Sequence, residues 1–165
     1  MTQRFLTPIF LVVSLSTFSH ICYANCWYYA ERSFGIEARL IAAIAQVESG
    51  MNPTTVGKNR DGTVDIGLMQ INSSHLAKLK EIGIDEKKLK GDPCLSVLTG
   101  ASILSDMMQI YGYSWEAVGA YNAGTGKMRH HLRMKYAKKV WEVYRKQDLA
   151  QKSIRESAIK RYAED

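Results

Sequence analysis

The sequence predicts a mainly α-helical single domain with at most a small β-hairpin. Three observations carry this expectation. Apolar residues recur at helical spacing through most of the chain, helix start and stop signals bracket those stretches, and only one short segment is punctuated like a sheet. A chain of 165 residues, 46% hydrophobic and 23% charged with three prolines, suits one domain with a real core. It has neither the composition of a disordered segment nor an internal repeat.

The first 24 residues read as a targeting segment. Arg4 precedes an apolar stretch from Phe5 to Phe18, and Cys22-Tyr23-Ala24 supplies small residues where a signal peptidase inspects the chain, so cleavage is expected after Ala24. The competing reading is a membrane anchor. The apolar run is shorter than the roughly 20 residues that span a bilayer, and Thr7, Pro8, Ser14, Ser16 and Thr17 interrupt it, so no stable membrane insertion is expected. The remaining chain divides into a folded domain over 25–147 and a polar helical tail over 148–165.

Cleavage removes Cys22 and leaves Cys26 and Cys94, which in an exported chain suggests one disulfide, two buried thiols being the alternative. Two cysteines, with His75, His130 and His131 lacking ligand spacing to them, do not make a metal site. The formal charge of +6 becomes +5 once Arg4 leaves, Lys+Arg 21 against Asp+Glu 16. This favours an anionic partner, and for an exported chain a carboxylate-bearing cell wall or an acidic membrane surface suits better than nucleic acid, for which no motif is present.

Helices follow in order. Cys26 to Phe34 is a short first helix. Glu37 to Ser49 carries Leu40, Ile41, Ile44 and Val47 at helical spacing and stops at Ser49-Gly50, with Pro53 beyond. From Met51 to Asn72 glycines and Asp-Gly punctuate the chain, and Thr63-Val64-Asp65-Ile66 with Leu68-Met69-Gln70-Ile71 forms the candidate hairpin. Helical pattern is weak from Ser73 to Leu89. It is strong from Asp92-Pro93, where Asp caps and Pro occupies the first turn, to about Tyr111. Ser114 caps a helix over Trp115–Asn122, and a basic helix runs from about Lys135 to Lys146.

Glu48 stands apart. With Leu40 at zero, Ile44 falls at about 40°, Glu48 at about 80° and Ile41 at about 100°, so the carboxyl lies within the apolar stripe. It also sits in the last turn, at the negative end of the helix dipole. Both surroundings raise a carboxyl pKa, the property a general acid needs near neutral pH. The alternative is a solvated side chain at a fraying helix end.

Three segments together resemble the lytic transglycosylases: Ala42-Ala43-Ile44-Ala45-Gln46-Val47-Glu48-Ser49-Gly50, Gly67-Leu68-Met69-Gln70-Ile71-Asn72 and Ala120-Tyr121-Asn122-Ala123-Gly124. The Asp92-Pro93-Cys94 helix start with Gly100-Ala101 and Leu104 is similar too. The resemblance spans roughly residues 26 to 145. In size and cysteines the chain is similar to small exported members that accompany secretion systems, conjugation machinery or pili.

That resemblance implies a lysozyme-like (goose-type/SLT) fold whose groove holds alternating N-acetylmuramic acid and N-acetylglucosamine, the peptidoglycan strand. Glu48 matches the catalytic glutamate, which serves as acid and then as base and leaves a 1,6-anhydro end. Neither a metal nor an organic cofactor is implied, and a monomer in the periplasm is expected. Met69, Gln70, Tyr121 and Asn122 match groove residues, and Tyr136 a later tyrosine. Core packing is the alternative role for Met69, Tyr121 and Tyr136, and a helix-end hydrogen bond for Asn122. Asp65 departs from the family pattern as a second carboxylate. Facing the groove it would stabilise an oxocarbenium-like transition state, as the second acid of a retaining glycosidase does, and otherwise it is a solvated strand aspartate. The rival functions are a hydrolytic muramidase and, in another class, a non-catalytic glycan-binding or scaffold protein of a secretion complex.

Overall fold

The computed structural model describes residues 18–164. Among these residues seven α-helices accompany a small sheet: α1 Phe18–Phe34, α2 Ala38–Ser49, α3 Leu76–Glu81, α4 Glu86–Gly91, α5 Pro93–Tyr111, α6 Trp115–Ala123 and α7 His130–Glu164, with β1 Val56–Lys58, β2 Val64–Ile66 and β3 Ile71–Asn72 between α2 and α3 in the chain. The architecture is lysozyme-like. Within it α2 is the central post, for Ile41, Ala43, Ile44 and Ala45 are wholly buried and the helix packs against α1, α5 and α7. Its C-terminus is closed as the sequence requires. Gly50 adopts the left-handed conformation at φ 63°, and its N–H donates to the Gln46 carbonyl.

Asp92 and Ser114 cap α5 and α6 through their side chains, accepting from the amides of Leu95 and Ala117. Cys26 of α1 and Cys94 in the first turn of α5 form a disulfide, which ties α1 to the start of α5. Close approaches to α5 and α6 depend on glycine. A Cβ on Gly119 of α6 would lie 2.2 Å from the Arg133 carbonyl of α7, and one on Gly100 of α5 would lie 2.7 Å from Met69 Cε.

Three features differ from the sequence expectation. The first helix already includes Phe18, ahead of the expected Cys26, because residues 18–25 contain neither proline nor glycine to interrupt it, and it therefore crosses the expected cleavage point at Ala24. Residues 1–17, which hold most of the expected signal, lie outside the described residues. The sheet has three antiparallel strands in the order β1-β2-β3, with Gly57 opposite Asp65 and Asp65 opposite Asn72. Strand β2 pairs on one side with Val56–Lys58, outside the expected hairpin, and only Ile71 of the expected second strand belongs to β3, since residues 67–70 form a turn. Finally, the basic helix starts earlier and runs unbroken into the tail, which lacks Pro and Gly and is rich in good helix formers. Asp148 at the start of that tail pairs with Arg39 of α2, and the residues from 149 to 164 are exposed. No helix among the described residues is long and apolar enough to cross a membrane.

Candidate active site

A cleft of about 610 Å³ opens between the C-terminal ends of α2 and α6, the sheet and the middle of α5. Glu48, Asp65, Gln70, Tyr121 and Asn122 all line it. Five residues picked from separate stretches of sequence thus converge on one cavity.

Glu48 is half-buried, as its place in the apolar stripe requires. Burial pushes its pKa up to about 7, the negative charge of Asp65 adds to the rise, and both outweigh a hydrogen bond from Tyr136 and the charge of Lys139. Tyr136 of α7 donates that bond, 2.5 Å from its hydroxyl to Glu48 Oε1. The tyrosine that packing alone would explain therefore holds the carboxyl in place, and burial together with Glu48 drives its own pKa well above the ordinary value.

Asp65 shares the cleft and is fixed at both oxygens. Asn72 donates to Oδ1 at 2.8 Å and Asn59 to Oδ2 at 2.9 Å, while both amides also donate to Thr63 Oγ1 at 3.0 Å. Thr63 in turn donates to Asp61 at 2.7 Å. Because Gly57 stands opposite Asp65 in the sheet, no side chain competes for that space; a Cβ there would lie 3.0 Å from Gln70 Oε1.

The turn at 67–70 is held from four sides. Ser49, next to Glu48, donates to the Leu68 carbonyl at 2.7 Å. Tyr121 of α6 donates to the Met69 carbonyl at 2.8 Å, and Ser96 of α5 accepts from the Met69 amide at 3.1 Å. Gln70, itself in the left-handed region at φ 49°, donates from Nε2 to the carbonyls of Thr55 and Gly67 at 3.0 and 2.8 Å. Gly67 needs to be glycine here, since φ is 75° and a Cβ would lie 2.6 Å from the Leu89 carbonyl.

One expectation is corrected. The Met69 side chain does not line the cleft; it is wholly buried against Gly100, because its turn places it toward α5. Its contribution is the carbonyl that anchors Tyr121. Asn122 is exposed on the cleft wall. The loop after α6 is braced by buried Arg133, which donates to Glu116 Oε1 at 2.9 Å and to the carbonyls of Gly124 and Gly126 at 3.3 and 2.9 Å.

Sequence reasoning missed Ser49, Asn59, Thr63 and Asn72 as supports of this site. Ser49 had a visible signal in its place beside Glu48, whereas the asparagines become partners of Asp65 only through strand pairing.

The fold and its half-buried acid define a lysozyme-like glycan-cleaving class of protein. The chain belongs to the transglycosylase SLT domain family, which matches residues 25–144. Over 137 residues it is 59% identical to invasion protein IagB of Salmonella typhimurium (strain SL1344), covering 83% of this chain and 86% of the relative. It is 40% identical to a peptidoglycan-binding-like protein of Escherichia coli O157:H7 over 148 residues, 86% of this chain and 88% of the relative. In three dimensions it resembles the lytic transglycosylase Slt of Pseudomonas aeruginosa, solved as an inactive glutamate-to-glutamine mutant, at a TM-score of 0.57 and 19% identity. That likeness covers 75% of this chain and 23% of the larger enzyme, and it concerns the fold.

Proposed function

We propose that the protein is a peptidoglycan lytic transglycosylase that cleaves the MurNAc-β-1,4-GlcNAc bond and leaves a 1,6-anhydro-muramic end. The observation that carries this is Glu48: one carboxyl poised at about 7, fixed by Tyr136 and facing a cleft with a second carboxylate. In the first step Glu48 gives its proton to the glycosidic oxygen as the bond from that oxygen to the muramic C1 breaks, and positive charge spreads over C1 and the ring oxygen. Asp65, held as an anion acceptor by two asparagine amides, stabilises that charge. In the second step the C6 hydroxyl gives its proton to the Glu48 carboxylate while O6 bonds to C1. The acid is restored and no water is consumed.

Gln70 and Asn122 supply polar contacts to the sugars, and Tyr121 an apolar ring edge with its hydroxyl committed to Met69. The likeness to a protein named as peptidoglycan-binding supports the partner. The likeness to an invasion protein supports a role in opening the wall locally for a secretion or transport apparatus, in the periplasm after removal of residues 1–24. No cofactor enters the reaction as proposed.

A Glu48→Gln variant tests the assignment. It is expected to clear peptidoglycan suspensions roughly 10²- to 10⁴-fold more slowly than the parent, the usual worth of a positioned acid. Clearance at the parent's rate would leave the protein a glycan binder or scaffold.

A further inference from the structure

Beyond Tyr136 a second cavity, of about 360 Å³, adjoins the catalytic cleft, and Asn122 and Arg129 line both. Its other walls come from one face of α7, where Leu132, Lys135, Tyr136 and Lys139 fall at helical spacing. The charges of the two cavities differ. Glu48, Asp61 and Asp65 line the cleft together with Arg60 and Arg129, whereas the second cavity is lined by Arg129, Lys135 and Lys139 and by no carboxylate. All three cations are exposed, and none is in an ion pair among the described residues. Arg129 is also aimed: its NH1 donates to the Ala123 carbonyl at 2.8 Å, which leaves the rest of the guanidinium for another acceptor.

Three exposed cations outside any ion pair among the described residues, converging on a cavity that adjoins the glycan cleft, call for an anionic group attached to that glycan. The sugar backbone is uncharged, but each muramic acid carries a lactyl group and, through it, a peptide stem with several carboxylates and small alanine methyls. We propose that the Arg129–Lys135–Lys139 cavity binds the carboxylates of the peptide stem, with Leu132 and Ala123 against its methyl groups, so that stem-bearing glycan is selected over uncharged glycan. This rests on the reading of a muramic-acid strand in the main cleft. It places the stem beside Tyr136 and gives the positive charge of the chain a specific use. An acidic membrane surface is the other anion such a cluster serves, but its junction with the cleft through Asn122 and Arg129 favours the stem.

The experiment is a titration of the Glu48→Gln variant, whose slow turnover leaves the ligand intact during the measurement, with three probes: a disaccharide-tetrapeptide, the same muropeptide with its stem carboxylates converted to amides, and an N-acetylglucosamine oligomer. Lys135→Glu is the perturbation, since Lys135 is exposed and its loss leaves Tyr136 and Lys139 beside Glu48 intact. Exposed carboxylate–cation pairs each contribute about 1.5- to 5-fold, so two or three pairs give the acidic stem roughly tenfold tighter binding than the amide at low salt. That preference should shrink at high salt. Lys135→Glu should reduce it to about threefold or less while leaving binding of the oligomer unchanged. Equal affinity for the two muropeptides would overturn the proposal. So would an equal loss on all three probes, or a Lys135→Glu variant that loses only its sedimentation with anionic lipid vesicles. Failure of the parent to cleave peptidoglycan, with the stem preference intact, would instead count against the catalytic reading alone.

Discussion

Replacing Glu48 by Gln should make the protein more stable at pH 8 and leave its stability unchanged at pH 4. The folded carboxyl titrates at about 7 against an ordinary value of 4.5. At about 1.4 kcal/mol per pH unit, the gap amounts to about 3 kcal/mol. The sign follows from the direction of the change. Below about 4.5 the group is protonated in both folded and unfolded chains and favours neither. Between 4.5 and 7 the unfolded chain ionises first, and stability falls. Above 7 the full cost of a half-buried anion is present. Glutamine, isosteric and uncharged, can still accept from Tyr136 and carries none of this cost. For a chain of this size about 3 kcal/mol corresponds to roughly 6–12 °C. Thermal unfolding followed by circular dichroism, with the disulfide intact, should therefore show parent and variant melting together at pH 4 and separated by that amount at pH 8. A gap that does not change with pH, or a parent more stable than the variant at pH 8, would refute the water-poor environment from which the acid role is argued.

The two neighbours of Glu48 should move its titration in opposite directions. Asp65→Asn removes a nearby negative charge and should shift the alkaline limb of kcat/KM to lower pH, whereas Tyr136→Phe removes a donor to the carboxylate and should shift it to higher pH, both read from peptidoglycan clearance against pH; limbs that stay in place would contradict the electrostatics described. Gly119→Ala drives a Cβ into the α7 backbone, which cannot step aside, and should cost about 3 kcal/mol or prevent folding, while Gly100→Ala meets the flexible Met69 and should cost about 1–2 kcal/mol, as denaturant titration would measure. Cys94→Ser opens a loop of 68 residues and should lower stability by about 4 kcal/mol, with added reductant reproducing the effect on the parent and leaving the variant unchanged.

The helical frame was legible because its signals are local. Gly50 stops α2, Asp92-Pro93 starts α5 and Ser114 starts α6, each by a hydrogen bond or a backbone conformation that the residue itself dictates. Burial of Glu48 was equally legible, since periodicity alone places it in the apolar stripe. Strand pairing was not. It depends on the turn at 67–70, where Gln70 takes a left-handed conformation that a non-glycine residue does not advertise, and where three side chains from distant elements and Gln70 itself do the holding. That same turn sends Met69 into the core and brings Asn72 to Asp65. Nor does sequence reveal that Tyr136 reaches Glu48, because the pair is 88 residues apart and meets only through the packing of α2 on α7.

Digestion of peptidoglycan in water enriched in oxygen-18, followed by mass spectrometry of the fragments, tests the two-step use of Glu48 most directly. If O6 of the muramic acid closes on C1 while Glu48 takes its proton, every new end is a 1,6-anhydro end without label. Label at new reducing ends throughout would mean that water is the acceptor, and the protein would then be a muramidase built on the same cleft.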